Sequence, residues 1–517
     1  MNNYLQTVFH YHETTKHSQQ KYANSLGYMD WSTQPNPWRD YKGTKTLQLP
    51  LALKNNTPPY HFLNSDLPSA PLVKESLSQL LQFSMGIAAY KSSDGASWAV
   101  RCNASSGNLH PTETYVVLPP LEGIEDAKSS VFHYTPKNHG LELLASFESS
   151  FWESLPSGSF LLGLSSISWR EAWKYGERAF RYVNLDAGHA WQSLSVSAKL
   201  LGWTLTRLDD ISDADIASIL GLNQESRFFE YEHADMLFIV SPQSVDAKTN
   251  LDQLVENLPL VYEGIANKLS PDMQEWSIIE NIEDATAVIQ LAQKSSLIKT
   301  IQKKPTRESK EIILNRRSIH VMDKVTSLIT KEQFHTVLNS VAHSLDAKQN
   351  AVHLCIFVHQ VEDYKSGLYI FIRNENDKDS LKNEMYNAFS WEKSELENLY
   401  FLEQRDFRLA SKSISCNQDI ASDGAFSLGM LANFSQQLQD YGAHRYKELY
   451  WECGMIGQEL YLEATSLGLS GTGIGCYLDD MMHGLLGLKN NKFQILYHFT
   501  VGRGYVDSRI TSAPPYE

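Results

Sequence analysis

The stretch DAGHAWQSLSVSAKLLG (186–202) and the stretch ECGMIGQELYLEATSLG (452–468) align without a gap at a constant offset of 266 residues. The offset places the acid Asp186 on Glu452, Gly188 on Gly454, Gln192 on Gln458, Leu194 on Leu460 and Ala198 on Ala464. It also places Leu201-Gly202 on Leu467-Gly468, and Leu220-Gly221-Leu222 on Leu486-Gly487-Leu488. The shared skeleton is an acid, a glycine, an apolar stripe at helical spacing, and a glycine where the helix stops. Each copy is followed by a β-rich run, Met236-Leu237-Phe238-Ile239-Val240 in the first and Ile495-Leu496-Tyr497-His498-Phe499 in the second. Chance rarely gives so many matches in register, so the chain reads as a diverged duplication.

A chain of 517 residues is long enough for two domains of about equal size. The duplication places the first at 1–245 and the second at 311–517, with a linker at 246–310. Ser/Pro/Asn/Asp-rich stretches, a helix-like run at 252–267 and the charged tail QKKPTRESKE (301–310) mark that linker. Strands are expected at Tyr115–Leu118 and Phe160–Leu164 in the first half, and at Val352–Val358 and Leu368–Ile372 in the second. Each half therefore carries a sheet covered by helices. Duplicated halves are expected to dock as the ancestral homodimer did, about an approximate two-fold axis, and such interfaces make good ligand sites.

The formal net charge of −15 argues against a general nucleic-acid binder, which needs a basic footprint. No run of 18 or more apolar residues suggests a membrane span, and the N-terminus lacks the basic start and apolar core of a signal peptide. The five cysteines are scattered and never spaced as CxxC. This fits reduced thiols in a cytoplasmic protein and argues against a disulfide framework or a metal site.

Four segments could carry chemistry. In RCNASSGNLHPTETYVV (from Arg101), small and polar residues precede a strand, letting backbone N–H groups and an Asn amide approach a flat polar edge. An ordinary loop before a strand reads the same way. In ILNRRSIHVMD (313–323), Arg316, Arg317 and Ser318 close a helix-like segment with His320 two residues on. Two guanidiniums and a hydroxyl suit a phosphate dianion, although an Arg-Arg pair is more often a solvated face. In LGLSGTGIGCYLDD (467–480), Gly471, Gly473 and Gly475 follow a helix pattern, not a strand. This excludes the dinucleotide-binding reading and leaves a backbone that can pass close to a ring system. The matching stretch of the first half, GWTLTRLDDIS (202–212), has lost these glycines. In SWREAWKYGERAFRY (168–182), Lys174 and Tyr175 could hydrogen-bond or exchange protons with a substrate, beside Asp186 and His189. Without further help this segment reads as a structural Arg/Glu network.

Together these segments resemble the nitroreductase superfamily of FMN-dependent oxidoreductases, and most closely the SagB-type (ThcOx-like) dehydrogenases in a double-domain form. NASSGNLHP (103–111) is similar to that family's PSxxNxQP loop and LNRRSIHVMD (314–323) to its RRSxR phosphate motif. GMIGQELYLEATSLGLSGTGIG (454–475), with LLGL and VGRG (501–504), resembles its C-terminal flavin-binding half. YHETTKHS (11–18) with DWSTQPNPWRDY (30–41) looks like the start of such double proteins. The resemblance implies an α+β fold: two tandem nitroreductase-like domains forming an intramolecular pseudo-dimer, with FMN at the interface.

It further implies that Arg316, Arg317, Ser318 and His320 hold the phosphate, with Arg503 or Arg509 as a further contact. Gly471, Gly473 and Ile474 would line the isoalloxazine. Ser105, Ser106 and Asn108 would reach it from the other half. Lys174-Tyr175 would correspond to the Lys-Tyr pair used for azoline oxidation. NAD(P)H is a candidate electron donor and a small molecule or peptide the substrate. An internal dimer implies a monomer or weak oligomer.

The chain departs from the family pattern in three places: Ala104 stands for Pro, His110 for Gln, and His320 for a permanent cation. The first half lacks RRSxR and the glycine run, and the second shows no PSxxN loop. This complementary retention implies one complete composite site and one decayed one. The expectation from another class is a flavin-binding or scaffolding pseudoenzyme without turnover.

Overall fold

The computed structural model describes residues 3–62, 67–288, 307–342 and 350–516. Residues 301–306 of the charged tail, and 343–349, where a second-half counterpart of the NASSGN loop would fall, lie outside the described residues.

The repeat becomes two helices of 22 residues, Ala179–Leu200 and Arg445–Ser466, whose two ends both differ by 266. Every residue of the first except Lys199 is buried, as expected of a helix enclosed on all sides. The two helices pack on each other where their equivalent glycines meet. A Cβ on Gly188 would stand 2.1 Å from the carbonyl oxygen of Trp451, and one on Gly454 would stand 2.1 Å from that of Leu185. Trp451 and Leu185 are themselves 266 apart, so the contact is reciprocal. Any side chain at either glycine would force the backbones apart.

Each half holds one seven-stranded sheet with antiparallel pairing throughout. In the first the spatial order is Thr46–Gln48, Gly140–Phe147, Ser129–Thr135, Thr112–Leu118, Phe160–Ser166, His233–Ser241, Thr204–Arg207. In the second it is Glu392–Lys393, Leu399–Gln404, Gly367–Phe371, Val352–Val358, Phe426–Asn433, Phe493–Gly502, Ser470–Ile474. The two orders correspond strand for strand, and both end on the strand that follows a long helix. Antiparallel pairing excludes a doubly wound nucleotide fold, in line with the rejection of the glycine run as a dinucleotide motif. The central strands are apolar on both faces. Val116 and Leu118 face the long helix with Leu194, while Tyr115 and Val117 face a second core with Leu220 and Ile239.

Two features were not foreseen from the sequence. The helix-like run at 252–267 forms one short helix, Asp252–Val255, and then an extended return in which Ile265–Ala266 pairs with Tyr41–Lys42. Its periodic apolar residues anchor a loop: Leu254 and Tyr262 insert among the strands of the first half. The chain ends are also exchanged between halves. The N-terminal helix Asn3–Thr14 places Val8 and Tyr11 in the core of the second half with Phe334 and Phe426, and His12 bonds Gln494 at 3.0 Å. Conversely, Thr511–Ala513 adds a strand beside Tyr90–Ser92 of the first half, and the Tyr516 hydroxyl accepts from the Ile87 N–H at 2.8 Å.

Candidate functional site

Helix Ser309–Asn315 ends where Arg316 turns into extended backbone, which aims the Arg-Arg-Ser segment at the boundary between halves. Arg316 is 4% exposed. Its Nε donates to the Cys102 carbonyl at 3.0 Å and its Nη2 to that of Arg101 at 2.9 Å, both in the first half. The guanidinium lies over the Tyr461 ring, 5.2 Å from its centroid. Arg317 donates to the Arg316 carbonyl at 2.6 Å.

A third cation, Lys91 of the strand Ile87–Ser93, lies within electrostatic reach of both. Burial lowers its ammonium pKa, and the charges of Arg317 and Arg316 lower it further. Burial and Arg316 likewise bring Arg317 down to about 10. No carboxylate pairs with any of the three among the described residues. Arg316 thus depresses both Arg317 and Lys91, while burial lowers Arg316 itself, and cations without a counter-charge suit an anion.

The neighbouring segment pairs with the glycine strand Ser470–Ile474. Ser318 bridges Gly471, and the Ile319 N–H donates to Thr472 Oγ1 at 2.9 Å. Tyr461, on the long helix, sits between them: its hydroxyl lies 2.8 Å from Ser318 Oγ and accepts from the Gly473 N–H at 2.8 Å. A Cβ on Gly473 would lie 1.8 Å from the Tyr497 hydroxyl, and one on Gly475 would lie 2.1 Å from the Tyr182 ring of the first half. The side chain of Ile474 turns the other way, into a cluster with Met322, Ile420 and Ala421.

From the first half come the loop and the Lys-Tyr pair. Asp186, the repeat acid, accepts from the Ser106 N–H at 2.9 Å and from Ser106 Oγ at 2.9 Å. Burial pushes its carboxyl up to about 7 against these hydrogen bonds and one from Ser105. Ser105 Oγ accepts from the His110 N–H at 2.8 Å. The Asn108 amide donates to the Ala99 carbonyl at 2.9 Å and its oxygen lies 3.0 Å from His110 Nε2. Gln458 of the second half clasps the loop, accepting from the Ala104 N–H at 3.1 Å and donating to the Cys102 carbonyl at 3.3 Å. Lys174 and Tyr175 close over the loop: a Cβ on Gly107 would lie 2.8 Å from the Tyr175 hydroxyl and 3.1 Å from Lys174 Nζ. Tyr175 stacks on Tyr182 at 4.1 Å, which carries the pair to the glycine strand. Beneath them the Glu171 carboxyl is fully buried with neither oxygen hydrogen-bonded, and burial next to Asp186 holds it well above the usual carboxylate range.

Thus Arg316 reaches the first half at the Arg101 and Cys102 carbonyls, Gln458 holds the root of the Ser105–Ser106 loop, and Tyr182 joins Tyr175 to Gly475, which sets these segments along the boundary between halves. Asn108 belongs to the same loop, with its amide turned to the loop itself. His320 and Arg503 are exposed, although the backbone of Arg503 joins Asp323 at 2.8 Å beside the Ser318 segment. Arg509 lies at the surface and pairs with Asp507 at 2.7 Å. Sequence reading missed Lys91, Tyr461, Tyr182, Tyr497 and the role of Gln458. Gln458 was within reach, since it is one of the residues kept by the repeat and Tyr461 stands one helical turn beyond it. Nothing near Lys91 in the sequence marks it. Among the described residues no cluster of three or more metal-ligating side chains forms, and no helix is long and apolar enough to cross a membrane.

Comparison with known proteins agrees with the duplicated fold. The chain resembles a candidate nitroreductase of Methanocaldococcus jannaschii at 29% identity over 167 residues, which covers 30% of this chain and 78% of that protein. The crystal structure of a candidate nitroreductase from Anabaena variabilis superposes with a TM-score of 0.71 at 21% identity, over 96% of this chain and 99% of that one. The model of the nitroreductase family matches residues 68–229 and again residues 313–503. With both halves of the duplication matched in turn, the chain belongs to the nitroreductase family.

Proposed function

We propose that this protein is an FMN-dependent oxidoreductase of the SagB type, with a single composite site between its halves. The observation that carries the reading is the group of buried Arg316 with half-buried Arg317 and Lys91, which has no carboxylate partner among the described residues and leads into Ser318, the residue that bridges the glycine strand. This donor set fits a phosphate dianion, and the glycines at 471, 473 and 475, against which Phe499, Tyr497 and Tyr182 pack, would admit a flat ring where those aromatic side chains give way. Arg316, Arg317, Ser318 and Lys91 would hold the phosphate end. Gly471 and Gly473 with the Ser105–Ser106 loop would hold the ring end, and His320 and Arg503 lie at the solvent side.

When bound, FMN supplies hydride transfer between a donor, for which NAD(P)H is the candidate, and a small-molecule or peptide substrate. The chain's own part is to orient and to manage protons. Asp186 and Gln458 fix the loop, and Lys174 and Tyr175 present an ammonium and a phenol to a substrate. Tyr175 is kept protonated by burial and by Glu171, so it acts as a hydrogen-bond donor to a substrate and not as the acid that gives up a proton.

A second reading, a flavin-binding or scaffolding pseudoenzyme, is favoured by one observation. The Ser318 hydroxyl, the Gly473 N–H and two nitrogens of Arg316 already have partners within the protein.

The test is flavin uptake by the purified chain, followed by its visible absorbance and stoichiometry. One FMN per chain is expected. Replacing both Arg316 and Ser318 with Ala should weaken binding by roughly 10- to 100-fold, the loss of one or two charge-assisted hydrogen bonds. Colourless protein that takes up no FMN sinks the reading, and two FMN per chain sinks the single site. A yellow protein that turns over with neither NADH nor NADPH favours the scaffold.

A further inference from the structure

Cys476 directly follows the glycine strand, and its sulfur lies 2.6 Å from that of Cys416. Cys416 stands in the turn after helix Arg408–Ile414, 60 residues away in sequence. The two backbones are tied on either side of the sulfurs. The Leu478 N–H donates to the Ile414 carbonyl at 2.7 Å, and the Gln418 amide donates to the Cys476 carbonyl at 3.3 Å. Cys416 and Asn417 both adopt left-handed backbone, with φ of 52° and 60°. That conformation costs an ordinary residue roughly 1–2 kcal/mol, so the surrounding contacts hold this turn in place.

Both sulfurs are partly exposed, whereas Cys102, Cys355 and Cys453 are fully buried. The surroundings favour a thiolate at one member of the pair. The Cys476 thiol donates to Cys416 and lowers its pKa against the opposing effect of burial; the Tyr22 hydroxyl and the charge of Arg178 add to this. Arg178 is held nearby by Asp479 at 3.1 Å.

We propose that Cys416 and Cys476 form a dithiol–disulfide site that reacts with low-molecular-weight disulfides. The Cys416 thiolate attacks a disulfide RSSR; the bond between its two sulfurs breaks, a mixed disulfide Cys416–S–SR forms, and one thiol RSH leaves with a proton. Cys476 then attacks Cys416 Sγ, displacing the second thiol with the second proton. The two protein thiols are oxidised to one disulfide and RSSR is reduced to two RSH. The product bond ties the exit of the glycine strand, next to Gly475 and Tyr182, to the turn after helix Arg408–Ile414. The inference rests on the geometry of the pair and not on the flavin reading.

The test equilibrates the full chain in oxidised and reduced glutathione, alkylates free thiols, and maps peptides without reduction. Oxidised glutathione should remove two of the five thiols together, yield one peptide linked through Cys416 and Cys476, and be reversed by reduced glutathione. Cys476→Ser should abolish the link and leave a glutathione adduct on Cys416, whereas Cys416→Ser should abolish the link and the adduct together. Five alkylatable thiols after oxidation, a stable glutathione adduct on the wild-type pair, or a link between other cysteines would each overturn the proposal. The wild-type thiol count decides the question even where a serine variant folds poorly.

Discussion

The strands Ser470–Ile474 and Thr204–Arg207 hold the same place at the edges of equivalent sheets, each directly after a long helix, yet they meet the opposite half in opposite ways. Gly473 of the first strand corresponds to Arg207 of the second, and Tyr182, which faces the glycines, corresponds to Glu448. Arg207 pairs with Glu448 at 2.8 Å and with Asp209 at 3.2 Å, and lies over the Trp191 and Trp451 rings at 5.5 and 5.7 Å. That edge is closed by its own buried ion pair. On the glycine edge the space a side chain would fill is taken by Tyr497 and, from the other half, by Tyr182, and the cations beside it have no carboxylate partner among the described residues. One scaffold thus supports either a self-satisfied seam or a seam short of an anion, and a change of residue type at one strand position separates them. In the function proposed above, this is how one of two equivalent sites decays while the other persists.

Opening the closed edge should have the largest effect. Arg207→Ala leaves Glu448 buried with Arg445 alone at 3.0 Å, and breaking a buried pair by removing one partner costs about 3–5 kcal/mol. Urea unfolding should register that loss while flavin uptake stays at its wild-type level. A loss below about 1 kcal/mol would mean that the pair does not hold the seam.

Crowding the glycine edge comes next. Gly473→Ala puts a methyl group against the Tyr497 hydroxyl and should cost roughly 1–3 kcal/mol of stability as overpacking. It should also cut FMN affinity at least tenfold, read by titration of the flavin absorbance. Unchanged affinity would remove the glycine strand from the site.

The third effect is spread over a pH slope. The Asp186 carboxyl stands at about 7 in the folded protein against 3.8 ordinarily. Its contribution to stability is therefore fully present below about pH 4 and is lost as pH rises toward 7. The slope is at most about 1.4 kcal/mol per pH unit. Asp186→Asn should flatten that part of the stability–pH curve, and a variant with the wild-type slope would contradict the burial argument.

Much of the fold was legible because the repeat is in register. The offset that matched Gly188 to Gly454 also matched both ends of the two long helices and the helices Asp213–Leu220 and Asp479–Leu486. Strand cores such as Val352–Val358 were legible from their apolar β-rich runs. The run at 252–267 misled because apolar spacing alone does not separate a helix from a loop that pins its side chains into a sheet. In the candidate site, the Arg-Arg-Ser segment, the loop before Thr112 and the glycine strand announced themselves by composition. Lys91, Tyr182 and Tyr497 did not, since a lone lysine in a hairpin and tyrosines within helix and strand are what packing alone would place there.

By itself the sequence determined that one unit occurs twice, where each copy's long helix runs, and which copy kept the cations and which the polar loop. These are local facts, carried by spacing and residue type. The tertiary structure alone decided that Gly188 meets Gly454, that the N-terminal helix and the C-terminal strand cross to opposite halves, that Arg316 reaches the Cys102 carbonyl and that Arg207 finds Glu448. Those contacts join residues more than 200 positions apart, and their free energy comes from burial and charge pairing that exist only once both halves are folded against each other.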